Sequence, residues 1–194
     1  MYIWFSQKLF ISLAALVLLI KCDDTPAESL AYELTPEGIG AIQLGDYLRK
    51  VDSLSLPRLE VTEDQQFERA YTWMTRTITW KNGDKVILEG DFFETDKVND
   101  QLLQLSKVNR IRIESPDFTT SEGIHTGSTF KQLSAVFPDS SMMITPFPAY
   151  NMIEVFIPGY SPFHYLFSTE NYSEEQIRSA SISPEDRIST IVIM

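Results

Sequence analysis

The residues best suited to chemistry lie in one short stretch, Glu89-Gly90-Asp91-Phe92-Phe93-Glu94-Thr95-Asp96. On an extended strand Glu89 and Asp91 point the same way, about 7 Å apart, a carboxylate separation within the range that glycosidases use. General acid catalysis needs one carboxyl held protonated, and the expected neighbour of Glu89 is Arg76, whose charge works against that. The same stretch would offer oxygens to calcium, but it lacks the regular D-x-D-x-D-G ligand spacing of a calcium loop. His125 and His164 are the only histidines. Neither has a second ligand at a telling spacing, so both read as structural or surface residues. No GxSxG, HExxH, phosphate loop or GxGxxG occurs. The expectation is therefore a protein that is not an enzyme, with no cofactor and no metal. A glycan-directed envelope hydrolase using Glu89 and Asp91 is the alternative.

Composition removes several other classes. The 194 residues carry 27 Asp plus Glu against 16 Lys plus Arg, a net charge of −11, with no basic cluster of the kind that phosphate backbones require. A single cysteine leaves no zinc ribbon or disulfide scaffold. Aromatic residues at 12% are too abundant for a disordered chain.

The cysteine stands at a particular place. Leu9 to Ile20 is an apolar run interrupted only by Ser12, preceded by Lys8 and closed by Lys21-Cys22. Twelve residues are short for a bilayer of about 30 Å but suit a signal-peptide core. The apolar core, then Cys22, then Asp23-Asp24, resembles the processing site of bacterial lipoproteins, including those of Bacteroidetes; Lys21 stands where that family prefers Gly, Ala or Ser. The resemblance implies that residues 1–21 are removed and that Cys22 becomes an acylated N-terminus holding the protein to a lipid bilayer. An acidic residue after the cysteine implies inner-membrane retention in some bacteria and surface display in Bacteroidetes. Removing residues 1–21 takes away two Lys and no acid, so 14 basic and 27 acidic side chains remain, net −13. Anionic headgroups would repel such a body while its acyl chains keep it near. An uncleaved anchor formed by Tyr2 to Ile20 is the alternative, and either reading puts the body outside the cytoplasm, facing periplasm or exterior.

Residues 22–34 read as an acidic tether. Beyond them one pattern occurs twice. Gly45-Asp46 precedes an amphipathic run with Tyr47, Leu48, Val51 and Leu54 on one face, and Gly127-Ser128 precedes another with Phe130, Leu133, Val136 and Phe137. The glycines are 82 residues apart (127 less 45), Asp46 and Ser128 are the expected N-caps, and Pro57 and Pro138 limit the helices. After each run come strand-rich residues (71–92 and 152–168), a polar stretch (94–104 and 170–178) and a last strand (108–114 and 187–194). Matching Arg110 with Arg187 gives an offset of 77 (187 less 110). Helices this short persist only when packed on a sheet. The expectation is an α+β fold of two tandem repeats, 35–118 and 119–194, each a short helix on an antiparallel sheet of three to four strands. The order resembles the tandem units of the β-lactamase-inhibitor protein and of small assembly lipoproteins such as BamE. That likeness implies a binding role through the open face of the sheets.

Asn82-Gly83 predicts a two-residue hairpin turn. Trp73 then opposes Phe92, and Thr77 opposes Leu88, on a face assigned to the core. Arg76, Ile78 and Trp80 fall on the outward face, with Arg110 or Arg112 alongside, as an exposed tryptophan–arginine group typical of interfaces. Two proline-framed aromatic loops add Tyr150, Tyr160, Phe163 and Tyr165 as candidate binding residues, with core lining as their other reading. The partner expected for these surfaces is another envelope or extracellular protein, an extracellular enzyme to be inhibited being a special case. Substituting Cys22→Ala should move the protein from the membrane pellet to the soluble fraction after cell lysis; retention in the pellet would point to an uncleaved anchor instead.

Overall fold

Alternation along the strands determines this fold: where residues two apart are apolar, one side of the sheet finds a core. The computed structural model describes residues 32–53, 60–68, 70–80, 83–138, 141–147, 151–159 and 162–194. The leader, Cys22, Asn82, Pro57, Leu54, Tyr150 and Tyr160 lie outside the described residues. The protein is α+β, with few and short helices against large antiparallel sheets. Among the described residues no helix is long and apolar enough to cross a membrane.

In chain order, β1 (Tyr32–Thr35), β2 (Gly38–Ile39) and β3 (Ile42–Gln43) lead into a 3-10 helix, Leu48–Ser53. Then come β4 (Glu60–Glu68), β5 (Tyr71–Thr79), β6 (Lys85–Glu89), β7 (Phe93–Glu94), α1 (Asp100–Gln104) and β8 (Arg110–Ile113). The remainder runs β9 (Phe118–Thr120), α2 (Phe130–Val136), β10 (Met143–Phe147), β11 (Met152–Phe156), β12 (Phe163–Ser168), α3 (Glu174–Arg178) and β13 (Ile188–Ile193). The large sheet runs β10-β11-β12-β13-β8-β6-β5-β4, with β7 beside β5, and all its pairings are antiparallel. A small sheet, β3-β2-β1-β9, contains one parallel pair, β1 with β9. Two expected boundaries change accordingly. Tyr32 to Leu34 belong to β1 rather than to a tether, and the join expected after 118 falls inside β9.

The core lies between one face of the large sheet and a layer holding the 3-10 helix, α2 and the small sheet. Leu88, Ile111, Ile113, Ile191, Ile193, Tyr165 and Phe167 point into it from the large sheet. Leu48, Leu133, Phe137, Ile42 and Phe118 meet them from the other layer. Each such side chain contributes about 1.5–3 kcal/mol on burial. Gly90 is required where β6 passes beneath the 3-10 helix: a Cβ there would stand 2.2 Å from Ser106 Oγ and 2.7 Å from Leu48 Cδ1.

The two glycine-led segments make the same backbone contacts. Gly45 N–H donates to Val108 and the Val108 N–H to Asp46 (2.8 and 2.7 Å); Gly127 N–H donates to Ile188 and the Ile188 N–H to Ser128 (2.8 and 2.9 Å). Leu48 N–H reaches Ser106, and Phe130 N–H reaches Asp186. The bridge Tyr47–Lys107 has its counterpart in Thr129–Arg187, so the final strands match at an offset of 80 (187 less 107) rather than 77. Neither Asp46 nor Ser128 caps the following helix. Each turns back instead, accepting from the N–H three residues earlier, Gln43 (2.8 Å) and His125 (3.1 Å). The cap passes to Thr129, which forms a capping box with Gln132, while the first segment closes as a 3-10 helix. Val136 of α2 is exposed instead of joining the apolar face. Burial alone would raise the Asp46 carboxyl; the Lys50 ammonium and the Gln43 N–H bonded to it outweigh that and bring it below its ordinary value.

Gly45 and Gly127 have φ of +85° and +95°, with open space where a Cβ would stand. Gly45→Ala and Gly127→Ala should therefore each cost about 1–2 kcal/mol through backbone strain alone, read from denaturant unfolding; an unchanged midpoint would show that the backbone relaxes there.

Candidate functional site

The β5–β6 connection decides which side chains reach solvent. Trp80 N–H donates to Asp84, Gly83 N–H donates to Trp80, and Gly83 has a φ of +89°, the pattern of a three-residue loop ending in a left-handed glycine. The expected two-residue loop is one residue too short. Thr77 faces Ile87 rather than Leu88, and Ile78 faces Val86. A slip of one residue exchanges the faces of a strand. Leu88 and Val86 join Ile78 on the core side, and Trp73, Thr75 and Thr77 lie on the opposite face with Ile87 and Glu89, where Thr75 and Glu89 are themselves buried.

Most sequence-derived candidates thereby leave the surface. Ile78 is 1% exposed, Trp80 packs edge-on against Phe118 at 5.6 Å, and Arg76 is half-buried against Glu63 (2.7 Å) on the core side. Phe163 and Tyr165, at 5% and 0% exposed, line the core, because the alternation of β12 sends Phe163, Tyr165 and Phe167 inward. Glu89 does not face Arg76. It opposes Thr75 in register, and its carboxylate, 7% exposed, lies between Arg110 Nε (3.2 Å) and Arg112 Nη1 (3.5 Å). Asp91 does not converge with it, since its carboxylate accepts the Lys107 N–H at 2.9 Å. His125 is engaged with the Thr126 carbonyl.

What the open face holds is different. Along β8, Ile111 and Ile113 go inward and Arg110 and Arg112 outward. Arg112 donates to Glu114 at 3.1 Å and lies beside Glu89, so both of its terminal nitrogens face carboxylates. Arg110 meets one carboxylate through Nε and lies over the Phe92 ring at 5.4 Å, a cation–π contact, and Phe92 in turn packs on Trp73 at 4.9 Å. The Trp73 indole N–H is buried without a hydrogen-bond partner among the described residues. Across the seam, Arg112 pairs with Val192, which pairs with His164, which pairs with Phe156. His164 stacks on Phe156 at 5.3 Å and contacts Glu154 through Nδ1 at 2.7 Å. None of these residues belongs to the core cluster. Arg110 and Arg112 were legible from the Arg-Ile-Arg-Ile alternation; Phe156 and Glu154 follow from the same rule applied to β11.

This face brings together an aromatic pair, a guanidinium stacked on one of its rings, and a histidine–carboxylate pair, groups suited to recognition. Among the described residues no three His, Cys, Asp or Glu side chains gather as a metal site. Glu89 holds two guanidinium groups apart, and its loss leaves them facing each other. Discounted for the partial exposure of both arginines, Glu89→Ala should destabilise the protein by about 1–3 kcal/mol, and Glu89→Gln by less. Equal unfolding midpoints for the native protein and the Ala variant would contradict this.

No protein-family model matches the chain, and no curated protein matches it. Among solved structures it is similar to the crystal structure of the uncharacterized protein yfeY from Escherichia coli, with a TM-score of 0.60 at 15% identity, covering 83% of this chain and 98% of that one. At that identity the likeness is one of fold alone.

Proposed function

We propose that the protein is an exported, lipid-anchored, non-enzymatic component of the cell envelope that binds another protein on the open face of its large sheet. The anchor rests on the Cys22 junction in the sequence. The binding reading rests chiefly on one observation: an unbroken path of eight strands carries Trp73, Phe92 and Arg110 at one end of its open face and Phe156 and His164 at the other, all outside the core. Aromatic residues and arginine are the side chains that most often anchor interfaces.

The same reading includes a tandem duplication. The paired backbone bonds of Gly45 and Gly127 support it, and so does the seam, where Arg112 pairs with Val192, its counterpart at the same offset of 80 (192 less 112). Two copies of a four-stranded unit, joined last strand to last strand, make one continuous surface out of two small ones. Divergence then divides that surface: Thr77, Ile87 and Arg112 on one side of the seam correspond to Phe156, His164 and Val192 on the other.

A photo-crosslinking residue placed at Ile87 should capture a discrete partner in intact cells, one placed at Glu175 on α3 should not, and Arg110→Ala should reduce capture about tenfold. Equal capture at both positions, or none at Ile87, would contradict the reading.

A further inference from the structure

The two ends of the large sheet are finished differently. β10 is five residues long and contains Pro146, which has no N–H to offer an incoming strand. β4 is nine residues long, contains no proline, and pairs with β5 without interruption from Glu60–Thr79 to Glu68–Tyr71. Among the described residues it has a neighbour on one side only.

The side chains along this edge are of two kinds. On the open side stand Glu60, Asp64 and Glu68, four residues apart, with no Lys or Arg in the strand; the Asp64 carboxylate accepts from the Gln65 N–H (2.9 Å) and the Gln66 side-chain amide (2.7 Å), and Glu68 is also engaged. On the opposite side Val61 and Phe67 remain 38% and 63% exposed, with Gln65 and the Arg76-bound Glu63 between them. A second copy paired here antiparallel would set acid against acid, which opposes self-association. The same charges favour a strand of opposite sign.

We infer that β4 is a strand-addition site for an extended, basic segment of a partner protein, with Lys or Arg at every fourth residue on one side and apolar side chains on the other. Main-chain hydrogen bonds along this edge supply affinity, with the incoming strand displacing the Asp64 carboxylate from the Gln65 N–H; the acids supply selection, and the added apolar side chains cover Val61 and Phe67. This surface is separate from the open face.

The test uses the full chain in detergent and a labelled peptide, acetyl-Lys-Val-Thr-Val-Lys-Val-Thr-Val-Lys-amide, followed by fluorescence anisotropy, with hydrogen exchange to locate the contact. The peptide should bind and slow exchange in residues 60–68. Replacing its lysines by glutamates, or its second valine by proline, should weaken binding at least tenfold. The double variant Glu60→Lys with Asp64→Lys, checked for an unchanged unfolding midpoint, should prefer the glutamate peptide. Arg110→Ala should leave the peptide affinity unchanged. No binding at millimolar peptide, indifference to the proline, or slowed exchange on β8 and β13 in place of β4 would overturn the inference, while capture at Ile87 would still stand or fall on its own.

Discussion

The pairing of β13 with β8 is the constraint on which the rest depends. Ile191 meets Ile113, and Ile193 meets Ile111, so four isoleucines close the core side of the seam while Arg112 and Val192 meet on the other side. Without this pairing each half is a four-stranded sheet with an unprotected final strand. With it, two vulnerable edges disappear, and β4 and β10 are left as the ends of a single sheet. One continuous sheet face, with Thr190 and Val192 buried at its centre, follows from that one junction.

The polar groups on that face are arranged to be stable without being inert. Glu89 is almost fully buried beneath two guanidinium groups, which a lone buried carboxylate would not tolerate. Arg112 is engaged by two carboxylates, whereas Arg110 has one and leans on Phe92. This unequal sharing leaves Arg110 as the member of the network with capacity to spare. On the opposite half Glu154 and His164 engage each other beside Phe156, so each half carries its own charged pair and its own ring.

Much of this was legible in the sequence, and the errors have one cause. The glycine turns and short amphipathic runs were visible because both leave local signatures. The α+β class followed from the same signals. The face of β6 was legible, with Leu88 in the core as expected, but that of β5 was not, since Asn82-Gly83 suits a two-residue loop as well as a longer one in which Gly83 closes the turn. One extra residue exchanged Arg76, Ile78 and Trp80 for Trp73, Thr75 and Thr77. In the same way Phe163 and Tyr165 looked like loop aromatics until β12 was seen to begin at Phe163. The Glu89–Arg110–Arg112 group joins two strands that are distant in sequence, and no local pattern announces it.

Under the proposed function, a partner covers the sheet face opposite the core in the living cell. Hydroxyl-radical labelling, compared between intact cells and the purified protein, addresses this directly, because the side chains concerned are among the most readily labelled. Trp73, Phe92, Met152 and Phe156 should lose labelling in cells while Val136 on α2 keeps it. Equal labelling of the open face in both states, or protection confined to the helical side, would contradict it.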